Sequence, residues 1–311
     1  MCYTIITDAD GLKRESESVM KKVALLILSI TILICLVACN QGQNQNPTPE
    51  HTHIFGEGDA TCSVCGQPME PTEGIIYDIS DDGTYAMVVG YEGSATKIKI
   101  ADAYEGLPVK TIYNYAFYGN KAITSVIIPD SVTSIGVGAF VVCDRLTSVV
   151  IPGSVTSIGD EAFGGCFSLT SVEIPDSVTS IGDLAFYGCT NIIVNEGNKY
   201  YKSIDGNLYT KDEKTLIQYA IGKQDKSFIV PDSVTSIGKY VFYNCTGLTS
   251  VEIPDSVTSI GESAFYYCYN LKDVYYTGSE AEWQAISIDN LYGSNNYLVD
   301  ATIHYNYVPE N

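Results

Sequence analysis

The sequence predicts a repeat solenoid of the α/β class, curved and strand-rich, built from 23-residue units with short helical or 3₁₀ turns. Three observations predict it. The phrase IPDSVTSIG occurs unchanged at Ile128, Ile174 and Ile253, and with one substitution each at Ile151 and Val230. Its serines, Ser131, Ser154, Ser177, Ser233 and Ser256, are separated by 23, 23, 56 and 23 residues. Two further columns keep the same step, Phe117, Phe140, Phe163, Phe186, Phe242 and Phe265, then Cys143, Cys166, Cys189, Cys245 and Cys268. Self-similarity at a fixed period of this length is the mark of stacked supersecondary units.

One unit, residues 146–168, shows what each position must do. Leu146, Val149 and Ile151 point inward from a short strand whose Thr147, Ser148 and Val150 face away. Pro152 has no N–H for a ladder and ends the strand. Val155, Ile158, Phe163 and Cys166 return to the core, Gly159 permits a tight turn, and residues 161–166 are expected to form a helical or 3₁₀ piece. Such a unit cannot bury enough apolar surface to hold itself folded, so it must stack on its neighbours.

The pattern LxxVxIPxSVTSIGxxAFxxC resembles the BspA-like class of leucine-rich repeat, over residues 98–276. The resemblance implies a leucine-rich repeat fold on a bacterial surface protein that binds partners and carries out no chemistry. The unit after Cys189 departs from the pattern by 33 extra residues, and its Asp205-Gly206 pair signals an inserted β-hairpin within 195–224. Ends of a solenoid need covering. A capping hairpin is expected over 74–97, turning at Asp82-Gly83, and a cap over 277–311 with Trp283 on a short helix opening near Ser279 and a last strand beyond it.

The segment upstream of the repeats carries its own signals. Met20, Lys21 and Lys22 precede an uninterrupted apolar run that ends Leu36-Val37-Ala38-Cys39. A basic start, an apolar stretch and a small residue before the cut form a secretory pattern, and the run is short for a bilayer crossing. With Cys39 at the cut, 20–38 resembles a bacterial lipoprotein signal, which implies lipidation of Cys39 and a chain facing the cell exterior. Residues 1–19 are expected to lie upstream of the true start at Met20. The polar stretch 39–50 reads as a tether.

Residues 51–70 hold His51, His53, Cys62 and Cys65, an HxH followed by CxxCG. Four such ligands suit tetrahedral zinc, and the stretch resembles a small zinc knuckle. A Cys62–Cys65 disulfide in the oxidising exterior is the competing expectation.

Composition excludes one class of partner. With 17 basic against 37 acidic residues and a net charge of −20, the chain is unsuited to gripping phosphates, so nucleic acid is excluded, and membrane contact is left to the lipid. The cysteine column reads as core packing and the aspartates Asp130, Asp176, Asp232 and Asp255 as turn residues bonding their own backbone. The paired carboxylates Glu173 and Glu252 share their column with Ile127 and Val150, which reads as surface variation, so no enzyme is expected. Binding is expected at the outward strand positions Ile127, Val150, Glu173, Ile229 and Glu252, and at Tyr200, Tyr201 and Tyr209 of the insert. The expected partner is an extracellular protein or glycan, engaged by a monomer; a structural or carbohydrate-binding envelope role is the alternative.

Overall fold

The computed structural model describes residues 69–309 apart from Gln224. The signal, Cys39, the tether and the quartet His51, His53, Cys62 and Cys65 lie outside the described residues.

Each unit contributes two strands to two ladders. The longer strands begin with Lys97–Lys99, Ser125–Ile127 and Ser148–Val150, which pair in parallel, with Ser125 opposite Ser148 and Val126 opposite Val149. Ser171–Ile174 pairs in the same way with Asn191–Val194, and Ser227–Ile229, Ser250–Ile253, Asp273–Tyr276 and Thr302–His304 form the last such group. The second ladder is made of the Ser-Ile pairs of the repeated phrase, Ser134–Ile135, Ser157–Ile158 and Ser180–Ile181, stacked on Leu107–Ile112. These two-residue strands are invisible to sequence periodicity, because a strand of that length exists only when a neighbouring rung supplies its partners.

The phrase can be read atom by atom. The first Ile and the Val go to the core: Ile174 and Val178 are fully buried. The Ser hydroxyl donates to the rung before it, Ser154 to the Val132 carbonyl at 2.6 Å, Ser177 to Val155 at 2.6 Å and Ser256 to Val234 at 2.7 Å. The Thr hydroxyl does likewise, Thr156 to the Thr133 carbonyl and Thr179 to Thr156, each at 3.2 Å. The aspartates do not bond their own turns as expected; no carboxylate bond from Asp130, Asp176, Asp232 or Asp255 is present among the described residues, and beside Asp176 and Asp255 the short arm of Ser177 or Ser256 reaches the preceding rung instead, whereas the buried Ser131 hydroxyl beside Asp130 has no partner. Gly159 is required by proximity to its neighbour rather than by its own turn, since a Cβ there would lie 2.7 Å from the Val137 nitrogen.

Beyond the glycine, residues 161–166 form successive tight turns closed by i→i−3 bonds, Ala162 to Gly159 at 3.2 Å, Gly164 to Glu161 at 2.8 Å and Cys166 to Phe163 at 3.2 Å. Two left-handed residues per unit keep these turns from becoming one helix. The first is Tyr115, Gly138, Glu161, Leu184, Tyr240 or Ser263, and the second is Gly119, Val142, Gly165, Gly188, Asn244 or Tyr267. Most of the first set are not glycine, so the sequence carries no marker for them.

The turns send the Phe column inward. Phe117, Phe140, Phe163 and Phe186 stack at 4.9, 5.2 and 5.8 Å between ring centroids, close to the spacing of paired strands. Behind them the thiols of Cys143, Cys166 and Cys268 are free, buried, and donate to the carbonyls of Phe117, Phe140 and Phe242 at 3.0 to 3.1 Å.

The insert is larger than a hairpin. Tyr201–Ile204 and Asn207–Thr210 are antiparallel about the Asp205-Gly206 turn, where both residues have positive φ, and Thr215–Gln218 adds a third strand that returns the chain to the second ladder beside Ser236–Ile237. Tyr219 then occupies the place of the missing Phe, 5.4 Å from the Phe242 ring. At the front, Ile75–Ile79 and Ala86–Tyr91 form an antiparallel pair that leads into Leu107–Ile112. At the back, helix Glu280–Ala285 is closed by a capping box between Ser279 and Glu282, and its Trp283 packs edge-on against Tyr276.

Candidate functional site: the outward strand column and the cleft at the interruption

Because side chains alternate along a strand, each long strand sends one central position inward and the next outward. Val126, Val149, Val172, Val251 and Val274 are buried, whereas Val150, Glu173, Ile193 and Ile229 are exposed. Register aligns the outward set: Ile127 opposite Val150, Glu173 opposite Ile193, and Ile229, Glu252, Tyr275 and His304 in succession. Each group of paired strands therefore turns its own share of these positions outward, Ile127 with Val150, Glu173 with Ile193, and Ile229 with Glu252. His304 joins them; its Nε2 lies 2.8 Å from Asp273 Oδ1 and its ring stacks on Tyr275 at 4.7 Å. Sequence could not pair His304, because both partners sit on the neighbouring rung.

The three insert tyrosines part company. Tyr200 is exposed. Tyr201 is half-buried, its hydroxyl accepting the Ile181 N–H at 3.0 Å and donating to the Thr179 carbonyl at 3.4 Å, so it fixes the insert to the array. Tyr209 is fully buried and is not available for binding, because its strand is paired on both edges and sits over the core. Burial, with Asp205 and Glu213 nearby, holds its phenol far above the usual range.

Where the repeat is interrupted, a cleft of about 390 Å³ opens. Its walls come from units that are far apart in sequence, Phe167 and Tyr187 before the insert and Asn244 and Leu248 after it, with Tyr219 between them and Asp225 and Lys226 on the rim. Asn244 donates to the Tyr187 hydroxyl across the interruption at 2.6 Å. The Tyr219 hydroxyl donates to Asp225 Oδ2 at 3.1 Å, and burial raises its phenol. Phe167 keeps 61% of its surface in solvent. From Tyr187 a strip of rings continues along the turn edge, through Tyr243, Tyr266, Tyr267 and Tyr269. Sequence periodicity did not show the cleft, which exists only because Ser177 and Ser233 are 56 residues apart where other units keep 23.

A stacked scaffold with an exposed column and an aromatic-walled cleft defines a binding-repeat protein. The chain belongs to the BspA type leucine-rich repeat family, whose model matches six copies over residues 110–222 and 221–290, more than half of the 311 residues. Among solved structures it is similar to the pneumococcal vaccine antigen PcpA, at 24% identity and a TM-score of 0.50 over 63% of this chain and 53% of that one. The chain thus spans about half the length of that protein. It is also similar to a leucine-rich repeat protein of T. pallidum, at 25% identity, TM-score 0.42, over 66% and 80% of the two chains. A leucine-rich cell surface protein of Faecalibacterium prausnitzii follows at 24% identity and TM-score 0.35, covering 71% and 98%. These likenesses concern the fold. No curated protein matches this chain. Among the described residues no helix is long and apolar enough to cross a membrane.

Proposed function

We propose that the chain is a lipid-anchored surface protein, attached through Cys39, which as a monomer presents its outward strand column to a protein on a host or neighbouring cell. The observation that carries this reading is the contrast between the two sides of the long strands. Inward positions are uniformly apolar, as a shared core requires, while the outward positions run Ile127, Val150, Glu173, Ile193, Ile229, Glu252, Tyr275 and His304. A face free of packing constraint yet mixed in chemistry suits recognition. Protein is favoured over glycan because, of the tyrosines a sugar would stack on, Tyr209 is buried and Tyr201 is engaged. The zinc knuckle at His51, His53, Cys62 and Cys65 belongs to the same proposal as a structural element between tether and array.

The test is binding of the full chain to a panel of immobilised extracellular-matrix proteins and to a glycan array, with Val150→Glu and Glu173→Lys as variants. At least one protein ligand whose affinity drops tenfold or more in the variants is expected. Binding confined to glycans, or indifferent to both substitutions, overturns the reading. For the anchor, Cys39→Ala is expected to move the protein from the membrane fraction to the medium.

A further inference from the structure

The interruption leaves two strand edges, and they are treated differently. On Asn191–Val194 the insert covers the edge, since the Ile192 N–H donates to the Gly206 carbonyl at 2.9 Å and the Val194 N–H to Ser203 Oγ at 3.1 Å. The front edge is covered in the same manner, the Lys99 N–H donating to Thr72 Oγ1 at 2.8 Å and the Thr72 N–H to the Lys99 carbonyl at 2.9 Å. Ser227–Ile229, among the described residues, pairs on one side only, with Ser250–Ile253.

The bonds to that one partner fix which backbone groups are left over. The Lys226 carbonyl accepts from Thr249 and Ser250 at 2.7 and 3.2 Å, and the Val230 N–H donates to the Glu252 carbonyl at 3.0 Å. Backbone groups alternate along a strand, so the N–H and C=O of both Ser227 and Ile229 point to the opposite, unpaired side. Ser227 is exposed there and Ile229 keeps 63% of its surface in solvent. An open edge of this kind is a template for another strand, which is why proteins ordinarily cover it.

Two features specify what would fit. Phe228, between the two exposed residues, turns inward onto Tyr219 and Phe242 at 5.1 and 5.4 Å, so an added strand must offer an apolar side chain beside it. The cleft reaches the beginning of the same strand, because Asp225 and Lys226 line it, and its Phe167 and Tyr187 walls suit an aromatic or other large apolar side chain upstream. The other strands of this ladder all run parallel, and an occupant in the place of a further rung would do the same.

We propose that Ser227–Ile229 is a strand-addition site for an extended polypeptide segment of the partner, lying parallel to it, with a large apolar residue in the cleft and an apolar residue next to Phe228. The inference rests on the reading of this chain as a protein-binding scaffold. The sequence of residues 167–174, FSLTSVEI, satisfies both requirements and supplies the probe.

The test uses a fluorescein-labelled FSLTSVEI peptide added to the full chain, read by anisotropy and by hydrogen exchange. Saturable binding is expected, with the Ser227 and Ile229 amides slowed, and with affinity reduced tenfold or more by Ile229→Pro, whose lost N–H serves no bond among the described residues. Absence of binding, slowing at the Thr302–His304 edge instead, or equal affinity in a folded Ile229→Pro protein overturns the site. Exchange on the unmutated protein decides the matter even if that variant fails to fold. Matrix-protein binding that persists in Ile229→Pro while falling in Val150→Glu leaves the scaffold reading standing and this site refuted.

Discussion

Asn244 and Tyr187 are 57 residues apart in sequence and are joined by a 2.6 Å hydrogen bond from the Asn244 amide to the Tyr187 hydroxyl. This contact ties the units before the insert to the units after it, beside the edge-to-face rings of Tyr187 and Tyr243 at 5.6 Å. Tyr187→Phe keeps the ring and removes the acceptor. It is expected to destabilise the chain by about 1 kcal/mol, the usual net worth of such a bond. A double-mutant cycle with Asn244→Ala, measured by urea unfolding, checks it; full additivity of the two changes would refute the coupling.

Val142 is a β-branched residue held at φ 60°, in a column where other units place Gly119, Gly165 and Gly188. The left-handed region costs an L-residue about 1–2 kcal/mol, partly offset by the entropy a glycine loses on folding. Val142→Gly is therefore expected to raise stability by about 0.5–1 kcal/mol, seen as a higher melting temperature in calorimetry. A fall in melting temperature would mean that its half-exposed side chain matters more than its backbone.

The buried thiols set an alkaline limit. Burial, the largest cause, pushes Cys143 and Cys189 up to about 11 and Cys268 up to about 12, from an ordinary value of 9.0. Between these values the unfolded chain has released protons that the folded chain still holds, so stability falls as pH rises. The contribution is complete below pH 9 and is lost from there to about pH 11–12. Urea midpoints recorded across pH 7–11 should be flat at first and then decline. Native protein should also react with a thiol reagent at these cysteines only after unfolding.

The cap helix depends on Ser279. Ser279 and Glu282 satisfy each other's backbone N–H groups, and helix Glu280–Ala285 is too short to persist without them. Ser279→Ala is expected to cost about 1 kcal/mol. Trp283, the only tryptophan, reports the loss directly through its fluorescence, and an unchanged unfolding midpoint would show that packing against Tyr276 alone holds the helix.

The two expectations for His51, His53, Cys62 and Cys65 separate on metal content. A zinc knuckle gives one zinc per chain, released by a strong chelator with the appearance of two reactive thiols. A Cys62–Cys65 disulfide gives no zinc and no thiol at Cys62 or Cys65 until reduction.

The sequence by itself determined the repeat, its period, and the inward role of Val, Ile, Phe and Cys, because stacked units must present the same residue to the same core. It also located the outward column at Ile127, Val150, Glu173, Ile229 and Glu252, since strand alternation follows from residue order alone. What needed the tertiary structure was everything that depends on a neighbouring rung. The two-residue Ser-Ile strands, the serine and threonine bonds from rung to rung and the pairing of His304 with Asp273 all involve partners about one unit or more away, while the left-handed turns at Leu184 and Val142 and the burial of Tyr209 depend on how the chain is packed. The cleft and the open edge at Ser227–Ile229 belong to the same group. Both arise from how the chain closes around an insertion, and periodicity is silent where the period stops.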